Sequence, residues 1–179
     1  MVSWLRALRV YRDIMSVIQL EDISIDPGAP MPKVLSSDTE LYLIFYPATE
    51  DENISDIPIA RNSIGDKGVC IVRFRQALSH KFGSPSDETL MGHPLYKEGL
   101  APYTAQYLDK SPWIEELVKT DSIHPYHTPS KFKEYKHYIL SFHDNTFECV
   151  AQGYDMRYQN KDLYDVAVSV LQELVVKDI

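Results

Sequence analysis

Histidine is the residue type with the most chemical latitude in this chain. Four copies stand in turn-forming sequence: His93 in GHPLY, His124 and His127 in HPYH, and His143 in FHDNTFE. Imidazole and carboxylate together are the donors that hold zinc or another divalent ion, so His93, His124, His127 and His143 are the candidate metal ligands, with Asp144 and Glu148 beside them. The spacing stops short of a zinc signature. His-x-x-His occurs once, in a proline-containing turn, with no second matching pair. Histidines in such turns also serve simply to satisfy loop backbone donors and acceptors.

The densest chemistry lies in 136–152, KHYILSFHDNTFECVAQ. Asp144 and Asn145 tolerate positive φ, so they are the expected two-residue turn of a β-hairpin. That turn pairs His143 with Thr146, Phe142 with Phe147, Ser141 with Glu148 and Leu140 with Cys149. Alternation then puts Tyr138, Leu140, Phe142, Phe147, Cys149 and Ala151 on an apolar face. His137, Ile139, Ser141, His143, Thr146, Glu148, Val150 and Gln152 share the other. His143 and Glu148, diagonal neighbours in this register, are the candidate catalytic acid–base pair. A cross-strand polar pair that fixes the hairpin is the structural alternative. A Ser141–His143–Glu148 triad lacks an oxyanion hole, and alternation sends Cys149 away from His143. The expected binding patch is Ser141, His143, Thr146 and Glu148, joined by His93 and Tyr96 from the loop at 84–103. With no complete catalytic constellation, the sequence does not decide whether the protein is an enzyme.

Other elements must position these groups. Residues 17–25 and 40–47 read as strands, as does GVCIVRFR at 68–75, where Cys70, Val72 and Phe74 alternate with Ile71, Arg73 and Arg75. Arg73 and Arg75 would make a positive strip if they share the face that carries Glu148. Proline and glycine force a rigid turn at 26–32, residues 49–66 are a polar loop, and 77–82 reads as a brief coil. Ser111-Pro112 starts a short helix and Thr128-Pro129 another near 130–135. Residues 162–177 carry an apolar stripe of Leu163, Val166, Ala167, Val170, Leu171 and Leu174, the pattern of a helix laid on a sheet. The expected fold is α+β: a mainly antiparallel sheet with a central hairpin at 136–152, short loop helices and a C-terminal amphipathic helix packed on the sheet. Residues 15–179 form one domain. Residues 1–14 are either an N-terminal extension or a short amphipathic helix.

With 179 residues, 44% hydrophobic, a single core is within reach. Eighteen basic against 26 acidic residues give −8, which argues against a nucleic-acid or anionic-membrane binder. No apolar run reaches membrane-spanning length, and arginines interrupt any leader-like stretch near the start, so the expected location is cytoplasmic. Cys70 and Cys149 lie in strand-like runs and read as reduced core thiols.

The motifs DPGAPMP, HKFGSPSDE, GHPLY, SPW and KHYILSFHDNTFEC together resemble an uncharacterised family of bacterial proteins over about 26–151. That resemblance implies a coherent fold and a cytoplasmic setting, and brings no catalytic residue, cofactor or substrate. The expected function is a non-catalytic binding or interaction domain, without a cofactor, taking a protein or small-molecule ligand; a homo-oligomer stays open. The alternative is a metal-dependent, hydrolase-like enzyme using zinc or a similar ion held by the histidines and Glu148.

Overall fold

A computed structural model describes residues 16–48 and 68–177. The stretches read above as an N-terminal extension (1–14) and a polar loop (49–66) lie outside them. Among the described residues nine strands form two antiparallel sheets. The first, of five strands, contains β1 (Ile18–Ser24), β5 (Ser79–Gly83), β6 (Thr104–Leu108), β7 (Lys136–Ser141) and β8 (Thr146–Ala151), in the order β1-β6-β7-β8-β5. The second contains β2 (Lys33–Ser36), β3 (Leu41–Phe45), β4 (Val69–Arg75) and β9 (Gly153–Gln159), in the order β2-β3-β4-β9. Two α-helices, α1 (Pro112–Asp121) and α2 (Leu163–Lys177), and three 3₁₀ segments complete the described chain. The α+β class holds, with the antiparallel strands shared between two sheets.

The described chain crosses between the sheets three times, first from β1 to β2 and then at two adjacent points. After β4 it turns through Gln76, at φ 51°, into β5, and after β8 it passes through Gln152 into β9. Gln152 N–H donates to Arg75 O (3.0 Å) and Leu78 N–H to Val150 O (2.8 Å), so the pairing continues around the corner. Residues 79–83 are therefore a strand and not the coil read from sequence. Its partner β8 is what makes it one, because most of its side chains are exposed and bring little apolar patterning of their own.

The sheets face each other across the main core. Tyr138, Leu140, Phe142, Phe147, Cys149 and Ala151 pack on Leu43, Phe45, Cys70, Val72 and Phe74. Phe142 meets Phe45 edge-on at 5.3 Å, and Phe147 stacks on Phe74 at 5.3 Å. Both cysteines are free and buried here, and burial pushes the Cys70 thiol up to about 12, helped by the charge of Asp22. The outer side of the four-stranded sheet is covered by α2, whose Leu163, Val166, Val170 and Leu174 bury Tyr42, Ile44, Val69 and Ile71. Arg73 and Arg75 lie on this other sheet and form no strip beside Glu148. Arg73 grips Glu40 bidentately (2.6 and 2.7 Å), and Arg75 pairs with Asp155.

The hairpin keeps its predicted faces but not its register. β7 and β8 pair Ser141 with Thr146, Leu140 with Phe147, Ile139 with Glu148, Tyr138 with Cys149 and His137 with Val150. Phe142 N–H donates to Asn145 O (2.8 Å), which leaves His143 and Asp144 as the turn. Among the described residues only Met31, Gln76 and Tyr103 have positive φ apart from glycine. The hairpin thus does not use the left-handed conformation that pointed to Asp144-Asn145. The slip is two residues, and an even slip preserves both faces.

Leu140 is fully buried between the sheets, whereas Leu171 on α2 is 49% exposed. Leu140→Ala is expected to lower the urea-unfolding free energy by about 2–5 kcal/mol. Leu171→Ala should stay within about 0.5 kcal/mol of the parent.

Candidate functional site

The outer face of the five-stranded sheet is roofed by chain from three places. Leu90, Leu95 and Leu100 of the 84–103 loop pack on Leu108 and Ile139. Ile114, on α1, packs with Tyr135 on Val150. Ser111 caps α1 by accepting from Ile114 N–H (3.2 Å), with Pro112 at the first helical position. Polar anchors fix the loop at both ends. Thr146 Oγ1 donates to Pro85 O (2.9 Å) and Asp87 N–H to His143 O (2.9 Å). Gln106 accepts from Ala101 N–H (3.0 Å) and donates to Gly99 O (3.0 Å).

Between loop, helix and sheet the roof leaves a cleft of about 650 Å³. His93, Pro94 and Leu95 form one wall, Pro112, Trp113 and Glu116 another, and Lys81, His137 and Glu148 the sheet side. At its base His137 Nε2 lies 2.8 Å from one oxygen of Glu148. His93 Nε2 lies 3.5 Å from the other, a longer and weaker contact. Leu95 N–H donates to His93 Nδ1 (3.1 Å), which assigns the ring proton to Nε2, facing the carboxylate. His137 Nδ1 is buried without a hydrogen-bond partner. Donation from Nε2 to an anionic carboxylate assigns that ring the same tautomer.

Burial alone would raise the Glu148 carboxyl. Hydrogen bonds from His137 and His93, with the nearby positive charge of Lys81, outweigh it and hold the group well below the usual carboxylate range. Its side chain is 12% exposed, so Glu148 is a nearly buried anion with its partners in place. Lys81, opposite Glu148 in the β5–β8 ladder, places its ammonium 3.8 Å above the Trp113 ring. Trp113 meets His137 edge-on at 5.1 Å.

Of the residues expected from sequence, the cleft unites His93 and Glu148. Ser141 and Thr146 share the sheet face but are buried; the Ser141 hydroxyl has no hydrogen-bond partner and Thr146 is spent on Pro85. Tyr96 is 41% exposed and does not line the cleft. His143 is not the partner of Glu148. It sits in the hairpin turn with Nδ1 3.0 Å from both Asp87 Oδ2 and the Tyr103 hydroxyl, which also donates to Asp87. Burial and the neighbouring Asp87 push the Tyr103 phenol up to about 12. His127 pairs with Asp121 (2.6 Å), and His124 accepts from Tyr126 N–H (3.2 Å) in its own turn. The GHPL segment thus folds over the hairpin's polar face, and the HPYH turn does not line the cleft. Among the described residues no group of three His, Cys, Asp or Glu side chains is placed to hold a metal ion.

Sequence reasoning missed His137, Lys81, Trp113 and Glu116 as site residues. His137 was already on the face of Glu148, but the assumed register set it too far along the strand. In the observed register it is the diagonal neighbour. Lys81 was lost with the strand that carries it. No helix of the described residues is long and apolar enough to cross a membrane. Comparison with protein-family models, curated proteins and solved structures finds no match, so the resemblance to an uncharacterised bacterial family has no counterpart there.

The depressed Glu148 group stabilises the fold above its unfolded pKa of about 4.3 and stops doing so as pH falls through its lower folded value. Urea unfolding of the parent and of Glu148→Gln should therefore differ by a constant amount above about pH 5.5 and converge as acid is added. A gap that widens in acid would contradict the assignment.

Proposed function

We propose that the protein is a non-catalytic binding domain whose ligand, a small molecule or a single side chain, seats in the cleft over Glu148. The observation that carries this reading is the state of the cleft's own chemistry. Its carboxylate takes the Nε2 proton of His137 at 2.8 Å and a longer contact from His93 at 3.5 Å, so the central polar groups are turned toward each other and the fold while the anionic charge remains. Catalytic groups need a free valence toward substrate. What the cleft offers a visitor is a volume of about 650 Å³, within the range of small-molecule sites, with Trp113, Pro94, Leu95 and Pro112 as apolar walls. The roof is anchored by hydrogen bonds and leucines, so little ordering accompanies binding.

The same geometry weakens support for the metal-dependent hydrolase. His124, His127 and His143 are engaged away from the cleft, and His93 turns an N–H, not a lone pair, toward Glu148.

Titration of ¹⁵N-labelled protein with a library of rigid aromatic and aliphatic fragments should give saturable amide shifts concentrated at Thr89, His93, Leu95 and Trp113. Trp113→Ala should abolish them while keeping the dispersed spectrum of the fold. Shifts scattered over other surfaces, or loss of fragment during incubation through turnover, would overturn the reading.

A further inference from the structure

The cleft also states which charge it accepts, an inference that rests on the binding reading above and refines it. We propose that it takes an alkylammonium group, a primary amine on an aliphatic stem, which replaces Lys81 on the face of Trp113.

Lys81 supplies the first observation. Its ammonium lies 3.8 Å from the centroid of the Trp113 ring, within the range where the ring's negative face attracts a cation. The chain itself thus shows that this corner accommodates an alkylammonium. Lys81 is exposed on β5, which ends the sheet, so its head can swing into water without disturbing the core.

Charge complementarity is the second. Glu148 is held ionised at the base of the cleft. Glu116 follows Trp113 by three residues on α1, which puts both on one face of the helix, and both line the cleft. With Lys81 withdrawn, the cleft keeps two carboxylates around an aromatic face. The apolar walls then suit an aliphatic stem, so charge and stem are recognised by different surfaces of one site. A free amine and a lysine side chain presented on a peptide share this chemistry.

The test titrates n-pentylammonium, n-pentanol and n-pentanoate into the parent, Lys81→Met and Glu116→Gln proteins, following the Trp113 indole and Thr89 amide signals by NMR. The expected result is that pentylammonium binds best, more weakly at high salt. Lys81→Met should tighten it about 2- to 5-fold by removing the internal competitor, and Glu116→Gln should loosen it. A pentanoate preference that disappears in Lys81→Met would make Lys81 an anion receptor and overturn the ammonium proposal, leaving the cleft's binding role intact. Equal binding of pentanol and pentylammonium would overturn it as well. If none of the three binds while the fragments of the preceding section do, only the ligand class falls; if those fragments also miss the cleft, both readings fall. Nα-acetyl-lysine methylamide against pentylammonium then separates the two sources, the tighter of them marking a peptide or a free amine.

Discussion

A carboxylate placed on an inner strand of a five-stranded sheet and roofed by two other elements must be paired, because desolvating an unpaired anion costs several kcal/mol. Glu148 meets that demand from both sides. His137 comes from the neighbouring strand and His93 from a loop more than fifty positions earlier in the chain. The pair of contacts ties the hairpin to the loop that covers it. Through the edge-on contact of His137 with Trp113, the start of α1 joins the same cluster. The roof over the sheet is thus organised around one charge, and the cleft is the space that roof leaves open.

This arrangement depends on the hairpin register. Faces survive a slip of two residues, so the apolar side of β7 and β8 would fill the core in either register. Partners do not survive it. In the register read from the turn residues, Glu148 would have met His143 at the turn end of the hairpin. In the structure it meets His137, beneath α1, while His143 turns outward to Asp87 and Tyr103. A two-residue difference separates an exposed polar tip from a sequestered imidazole–carboxylate group.

The two sheets explain why the five-stranded one is buried on both faces. Its inner side closes on the four-stranded sheet, and its outer side lies under leucines of the loop and under α1. α2 is consumed by the other sheet and leaves this outer face to the short α1 and the irregular 84–103 loop. Irregular chain roofs a sheet incompletely, and binding sites gather where it does so.

Local sequence determined what depends on neighbours along the chain. The alternation in β4, β7 and β8 set which side chains enter the core, the stripe from Leu163 to Leu174 set α2, and Ser111-Pro112 set the start of α1. The α+β class and the polar face carrying Glu148 were legible for the same reason. Edge strand β5 was not, since its pairing with β8 and not its own pattern makes it a strand. The arginines of β4 found Glu40 and Asp155 because the second sheet, unseen in the pattern, carried them away from the hairpin. Register, the descent of His93 onto Glu148 and the meeting of Lys81 with Trp113 were decided by the tertiary structure alone. Each is a contact between segments distant in sequence, selected by core packing and by the pairing of a buried charge, and neither force leaves a periodic signature in the chain.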